Sequence, residues 1–119
     1  MTITEKRKYQ RVNTHNIVSY VCIDDSGNQI EEGTGRAIEM SQGGIRIETH
    51  SPIKPQDILL MAIDIEGELV DIKGEVVYCW ADDSGKFRSG IQFLETNEKI
   101  LSFVTRLIKK YSKFINQHG

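Results

Sequence analysis

The sequence predicts a small antiparallel β-barrel followed by one C-terminal helix. Up to residue 95, short apolar runs with alternating polar positions are separated by glycine-containing turns, the pattern of strands joined as hairpins. After residue 95, apolar residues recur at steps of three and four, which is the period of a helix. The chain has 119 residues, of which 39% are hydrophobic and 27% charged, and this fits one globular domain with a modest core.

The first two predicted strands cover residues 17–23 and 29–40. A turn of sequence Asp-Asp-Ser-Gly at residues 24–27 separates them, and these residue types favour turns. Gly33 and Gly35 interrupt the longer strand, and glycine inside a strand indicates a bulge or a bend. We therefore expect the longer strand to be irregular at these glycines.

A Ser-Gln-Gly-Gly turn at residues 41–44 leads into the next two strands. Residues 45–48 alternate isoleucine with charged residues, as expected of a strand with one buried face. Residues 58–65 are apolar on both parities for much of their length, as expected of a well-covered strand. Residues 66–68 then form a predicted hairpin turn.

Aromatic side chains mark the last two strands. One apolar parity is predicted to face the interior, and it contains Val70, Ile72, Val76, Tyr78 and Trp80. Core packing of Tyr78 and Trp80 is favoured over stacking on a ligand at the barrel surface, and both roles stay open. A second Asp-Asp-Ser-Gly turn occupies residues 82–85, before a strand that extends to Phe93. Neither such turn has the ligand spacing of a calcium loop, so both are predicted to be hairpin turns.

The last predicted element is an amphipathic helix. Thr96 or Asn97 can cap its start. Its apolar repeat consists of Ile100, Val104, Leu107, Ile108, Tyr111 and Ile115. Basic residues in the later turns suit the negative end of the helix dipole. A helix that covers one opening or face of the barrel is favoured over a membrane-surface helix, because a small barrel supplies the apolar surface to be covered.

Composition and charge disfavour several classes of protein. A formal net charge of −2 argues against a dedicated nucleic-acid binder, which is usually strongly basic. No apolar run is long enough to cross a bilayer, and the first five residues lack the apolar segment of a signal peptide. We therefore expect no nucleic-acid partner, no membrane insertion and a cytoplasmic location.

No catalytic or metal-binding residues can be located in the sequence. Cys22 and Cys79 lack CxxC spacing and are predicted to be reduced thiols. The three histidines, His15, His50 and His118, show no metal-ligand spacing with each other or with the cysteines. Without an acid–base pair or an activated nucleophile, the chain is predicted to be neither an enzyme nor a cofactor-containing protein.

The N-terminal segment concentrates positive charge. Lys6, Arg7, Lys8 and Arg11 lie within six residues and are opposed only by Glu5. Arginine binds phosphate oxygens and the O6/N7 edge of guanine in a bidentate manner. Glycines such as those of the 41–44 turn let backbone N–H groups approach an anion closely. Together these segments indicate a ligand that carries phosphates and purine edges.

Two motifs in this order resemble the PilZ family, whose pattern is RxxxR followed by [DN]xSxxG. Arg7 and Arg11 match the first motif, and Ser41 and Gly44 match the second, with Glu39 where the family has Asp or Asn. Residues 74–77 and 90–93 also look like the late barrel strands of that family, so the resemblance extends from about residue 5 to residue 93. It implies a six-stranded antiparallel barrel over residues 13–95, a flexible arm over residues 1–12 and a packed helix over residues 96–119.

The usual ligand of the family is cyclic di-GMP, and the resemblance implies where it binds. Arg7 and Arg11 are expected to fold over the ligand and to contact phosphate or guanine, while Lys6 and Lys8 screen phosphate charge or stay solvated. The hydroxyl of Ser41 is expected to bind the ligand or to hold the turn. Gly43 and Gly44 are expected to allow positive φ and close approach, and the Glu39 carboxylate can accept hydrogen bonds from guanine.

These features favour a cyclic di-GMP receptor that changes conformation on binding and signals to an unknown effector protein. The alternative is a degenerate PilZ-like adaptor that binds no nucleotide and acts by protein contact, and Glu39 is its main support. A barrel that binds single-stranded nucleic acid needs aromatic platforms beside a basic groove, so the acidic balance disfavours it.

Overall fold

Strands account for most of the chain between residues 12 and 118, the part that the computed structural model describes; for Asn13 and for residues 111–118 it describes the backbone alone. In chain order the elements are β1 (Val12–Asn13), β2 (Ile17–Ile23), β3 (Gln29–Met40), β4 (Gly44–Thr49), β5 (Ile58–Ile65), β6 (Glu68–Ala81), β7 (Phe87–Phe93) and helix α1 (Glu98–His118).

The six long strands form a closed antiparallel barrel. Their order is β3-β2-β5-β6-β7-β4, and the pairing of β3 with β4 closes the ring. Strand β1 adds a two-residue pairing to the end of β3, with Val12 opposite Met40. The predicted fold class, a six-stranded antiparallel barrel with a C-terminal helix, is confirmed.

Alternating side chains fill the barrel, and the helix closes one end of it. Buried residues recur at every second position of β2 and β5, as the pleat of a strand requires. From α1, Ile100, Phe103 and Val104 join the same core. Burying one apolar side chain of this kind contributes about 1.5–3 kcal/mol, so the helix is held to the barrel mainly by this apolar contact.

Polar contacts fix the start of the helix and its position. The side-chain oxygen of Asn97 accepts hydrogen bonds from the N–H groups of Lys99 at 2.9 Å and Ile100 at 3.2 Å, so Asn97 is the N-cap. On the β5–β6 hairpin, Glu66 binds both terminal nitrogens of Arg106, and Glu68 binds Lys99. Within the described residues, no helix is both long and apolar enough to span a membrane.

The register of β3 does not shift at its glycines. The register shifts near Ile23 and between Ala37 and Glu39, whereas Gly33 and Gly35 pair regularly with β2. A Cβ on Gly35 would lie 2.5 Å from the carbonyl oxygen of Glu48, so this glycine permits close approach of β4. The expectation of a bulge at the two glycines is therefore wrong.

A bulge in β6 reverses the predicted orientation of its aromatic residues. Val76 pairs with Ile91 and Tyr78 pairs with Gly90, so Val77 has no partner in the register. The extra residue shifts the parity, and Tyr78 and Trp80 face outward instead of inward. Trp80 is 56% exposed, so the preference for core packing of this residue was wrong.

We predict that Ser89→Ala leaves the stability of the protein unchanged or raises it slightly. Ser89 is fully buried, and its hydroxyl has no hydrogen-bond partner among the described residues. Removing an unsatisfied buried hydroxyl costs no hydrogen bond and relieves a desolvation penalty of about 1–3 kcal/mol. Urea unfolding of both proteins measures the difference. A loss larger than about 1 kcal/mol would mean that the hydroxyl is satisfied in solution.

Candidate functional site

The turn between β3 and β4 is held together by the hydroxyl of Ser41. This oxygen accepts hydrogen bonds from the N–H groups of Gly43 at 3.2 Å and Gly44 at 3.1 Å, and it lies 3.3 Å from the Gly44 carbonyl oxygen, to which it donates. The Ser41 N–H also donates to that carbonyl, at 2.9 Å. These bonds use the full capacity of the hydroxyl, which fits the expected role of holding the turn.

Gly43 and Gly44 do not have the expected backbone conformation. Among the described glycines, positive φ occurs at Gly27, Gly67 and Gly85. Gly44 is instead required by packing, because a Cβ there would lie 2.5 Å from the carbonyl oxygen of Ile91 in β7. The expectation of positive φ was therefore wrong. The backbone of Gly44 lies directly against β7.

A glutamate and an arginine face each other beside this turn. Glu39 in β3 pairs with Arg46 in β4, and a carboxylate oxygen of Glu39 lies 3.5 Å from Nη2 of Arg46. Both side chains are partly buried, with 23% of Glu39 and 29% of Arg46 exposed. Glu39, which the sequence predicts to be a site residue, thus lies next to Arg46, which was not among the predicted site residues.

Arg46 connects the glutamate to an aromatic pair on β6. Its Nε donates a hydrogen bond to the Tyr78 hydroxyl at 3.1 Å. The Tyr78 ring stacks on Trp80 with a centroid separation of 4.3 Å and an angle of 15° between planes. We call Glu39, Arg46, Tyr78 and Trp80 the outer-wall row, because they follow one another across the outside of the barrel.

A glycine makes the outer-wall row continuous. Gly90 in β7 is the register partner of Arg46 on one side and of Tyr78 on the other. A Cβ on Gly90 would overlap the Tyr78 ring, so the ring occupies the space over this strand. The two side chains can therefore meet across β7 only because position 90 has no side chain.

Strand β1 pairs with the end of β3 beside this row. In the β1–β3 pairing, Val12 lies opposite Met40 and Asn13 opposite Glu39. In the sequence, Arg11 immediately precedes Val12. The expected site residues Lys6, Arg7, Lys8 and Arg11 lie outside the described residues.

The glycine turn also contacts the helix. The side-chain amide of Gln42 donates to the Thr105 hydroxyl in α1 at 3.0 Å. The Gly43 carbonyl accepts the Phe93 N–H at 2.9 Å, at the end of β7. The turn thus connects the outer wall, the last strand and the helix that closes the barrel.

A second polar cluster continues along the same strands. The Glu48 carboxylate, 9% exposed, lies 3.0 Å from Arg36, 3.6 Å from Arg88 and 3.7 Å from Lys86. Arg88 also pairs with Asp82 at 3.3 Å. A hydrogen bond from the Ser84 hydroxyl, with help from backbone N–H groups and Arg88, lowers the pKa of Asp82 to about 2. The cluster leaves basic side chains near Trp80, whose register partner is Arg88.

Comparison with known proteins identifies a family model that matches most of the chain. The PilZ domain model matches residues 5–110. No protein with curated annotation matches the sequence.

Several solved structures share the fold. MotI/DgrA, an inhibitor of motility from Bacillus subtilis, superposes with a TM-score of 0.74 at 16% identity, over 92% of this chain and 53% of that one. The PilZ domain of YcgR from Escherichia coli, solved with c-di-GMP, gives 0.65 at 10% identity, over 96% and 97%. The MrkH–c-di-GMP complex from K. pneumonia gives 0.67 at 13% identity, over 98% and 56%.

These likenesses show the fold alone, and the chain spans about half the length of MotI and MrkH. One MrkH structure is described as a c-di-GMP-dependent transcription regulatory factor. The expected absence of a nucleic-acid partner therefore gains no support from these neighbours.

We predict that Ser41→Ala destabilises the protein without any ligand present. The change leaves the Gly43 and Gly44 N–H groups without their acceptor, which costs about 1–3 kcal/mol. Chemical denaturation measures the loss. Ser26→Ala is the matched control, because Ser26 lies in an exposed turn that is capped by the Asp24 carboxylate instead. Equal stability of the two variants would show that the Ser41 hydroxyl does not hold its turn.

Proposed function

Because the chain belongs to the PilZ domain family, we propose that it is a receptor for cyclic di-GMP that changes conformation on binding and signals to a partner protein. Two of the structural neighbours, the YcgR domain and MrkH, were solved with this nucleotide. Receptor and adaptor function is characteristic of the family. Among the described residues, no group of three or more His, Cys, Asp or Glu side chains could hold a metal ion.

The register of β1 against β3 is the observation that carries the proposal. The two halves of the family motif are about thirty residues apart in sequence, yet Val12 pairs with Met40 directly before Ser41. In the proposal, the segment before β1 is tethered at the edge of the glycine turn. In the proposed complex, Arg7 and Arg11 close over a ligand that lies against residues 39–44.

Charge-assisted hydrogen bonds supply much of the proposed affinity. Each contributes about 1.5–3 kcal/mol net, whereas a micromolar ligand needs about 8 kcal/mol in total. Arg7 and Arg11 bind phosphate oxygens or the guanine O6/N7 edge, and Lys6 and Lys8 offset phosphate charge. The ligand is proposed to pack against the turn backbone at Gly43 and Gly44, whose N–H groups are held by Ser41.

Glu39 is proposed to accept hydrogen bonds from the N1–H and N2–H groups of a guanine. A carboxylate near phosphates is repelled by them, but Arg46 lies 3.5 Å from this one and offsets the repulsion. The hydrogen bond from Arg46 to Tyr78 fixes the guanidinium, so Glu39 is oriented before the ligand arrives. This arrangement suits a glutamate at the position where the family has Asp or Asn.

The stacked pair extends the proposed site along the wall. Trp80 presents an exposed aromatic surface, and its other side is supported by Tyr78. Stacking of a base on an aromatic side chain contributes about 1–3 kcal/mol. A guanine on Trp80 and phosphates near Arg46 would place the ligand along the outer-wall row.

The contact between Gln42 and Thr105 provides a route from the ligand to a partner. A ligand that moves the glycine turn also changes the hydrogen bond to α1. The position or mobility of this helix is then the signal that an effector detects. A cytoplasmic location stays a prediction.

The adaptor alternative has one observation of its own in its favour. The Ser41 hydroxyl is fully used within its turn, so it has no remaining capacity for a ligand. In this alternative the motif is retained for folding, and the protein acts through contacts with other proteins.

Calorimetric titration with cyclic di-GMP separates the two functions. We expect saturable binding, weakened at least tenfold, or about 1.4 kcal/mol, in each of Arg7→Ala and Arg11→Ala. Arg46→Gln should weaken it as well, because the Arg46 cation no longer offsets the repulsion between Glu39 and the phosphates. Arg106→Ala is the control, since this arginine pairs with Glu66 away from the outer wall.

Glu39→Asp tests the geometry of the site, and we expect equal or tighter binding. A large loss would mean that the longer side chain is matched to this site. Absence of heat from the unmodified protein, together with no thermal shift, would favour the adaptor over the receptor.

A further inference from the structure

A second concave surface lies at the end of the barrel opposite the helix contacts. The glycine turn and the β5–β6 hairpin contact α1 at one end, whereas the β2–β3 and β6–β7 turns lie at the other. Among the latter connections is a cavity of about 550 Å³. A volume of this size accommodates several large side chains or one small molecule.

The walls of this cavity are mainly apolar. Ile53, Pro52, Pro55 and Phe87 contribute to the sides, and the Cys22 and Cys79 thiols also line it. Burial, followed by the nearby Asp57 and Glu31 charges, raises the pKa of Cys22 to about 11. This thiol therefore stays protonated and acts as an apolar wall rather than as a nucleophile or metal ligand.

Two large apolar side chains on the rim are exposed. Ile30 is 57% exposed and Trp80 56% exposed, and both also line the cavity. A small ligand inside the cavity would leave much of this rim in water. A chain segment that crosses the rim and inserts one side chain covers both surfaces, so the exposed rim favours a macromolecular occupant.

Acidic turns lie on both sides of the cavity. They are the two Asp-Asp-Ser-Gly turns, at residues 24–27 and 82–85. The strands that the first turn joins contribute Cys22 and Ile30 to one side of the cavity. The strands that the second turn joins contribute Ala81 and Phe87 to the other side. The first aspartate of each turn caps its own backbone.

The second aspartates, Asp25 and Asp83, are exposed at the turns. Glu31 and Asp57 add carboxylates to the lining, where Lys54 is the basic residue among the described ones. Nearby Lys86 and Arg88 are already paired with Glu48. The apolar cavity thus has an acidic border.

We propose that this cavity is a docking site for a basic amphipathic segment of a partner protein. An apolar side chain of the segment enters between Ile30, Ile53 and Phe87. Flanking arginines or lysines lie against the exposed carboxylates of Asp25 and Asp83. The charge complementarity selects basic partners and speeds their association. This docking does not require nucleotide binding, although Trp80 belongs to both surfaces.

The test uses a short synthetic peptide in which arginine and leucine alternate, added to the full chain. Heteronuclear NMR follows the backbone amides of Ile30, Ala81 and Phe87. We expect saturable shifts there and none at Gly43. A peptide with glutamate in place of arginine should produce no shifts, because the border repels it.

Two pairs of variants distinguish specific docking from non-specific binding of the peptide. Ile30→Gln should weaken peptide binding at least tenfold, whereas Leu69→Gln should not, since Leu69 is 69% exposed at the other end of the barrel. The double variant Asp25→Asn, Asp83→Asn should weaken it severalfold, and Asp71→Asn, an exposed position on β6, should not.

Four results would overturn the proposal. The first is an equal loss of peptide binding in the Ile30 and Leu69 variants, and the second is equal binding of the glutamate and arginine peptides. The third is that propylguanidinium alone saturates the same NMR shifts. The fourth is that the same shifts appear without peptide when the protein concentration is raised. The third indicates a small-molecule cavity and the fourth a contact between two copies. Calorimetric titration of Ile30→Gln with cyclic di-GMP tests nucleotide binding separately from peptide docking, because this variant should still bind the nucleotide.

Discussion

The one-residue bulge at Val77 decides what the outer wall of this barrel can bind. Without the extra residue, the parity of β6 would continue and Tyr78 and Trp80 would point into the core. With it, Tyr78 reaches Arg46 over Gly90, and Trp80 is left exposed between the outer wall and the end cavity. Both surfaces with proposed functions therefore depend on a local irregularity of one strand.

Besides the bulge, the candidate site requires that segments distant in sequence meet at the end of β3. Strand β1 pairs with β3 at Met40, Arg46 comes from the neighbouring strand, and Gln42 contacts the helix. No single contact here is strong, because partly exposed ion pairs contribute at most about 1 kcal/mol. Their value lies in orientation, since Glu39 and the glycine turn are held in place by partners on three other elements.

The sequence was sufficient for the fold, but only for part of the candidate site. Alternation, turn residues and the helical period depend on local chemistry, so the six-stranded barrel and the closing helix were predictable. The helix cap was predicted only as Thr96 or Asn97, and the structure shows Asn97. The bulge at Val77 depends on the register against β7, which no local pattern records, and the orientation of Tyr78 and Trp80 was therefore wrong. Arg46 was missed for the same reason, since its partners come from two other strands. Gly44 was singled out as a glycine that allows positive φ, but the structure requires it because β7 lies so close.

The most direct test is a fluorescence titration with cyclic di-GMP, because Trp80 is the single tryptophan of the chain and is 56% exposed. If the nucleotide lies along the outer wall, its guanine stacks on the indole and the emission changes saturably, with the affinity measured by calorimetry. Arg7→Ala and Arg11→Ala should shift the midpoint to higher ligand concentration. Emission that stays unchanged while calorimetry reports saturation would place the nucleotide elsewhere and would contradict this assignment of the site.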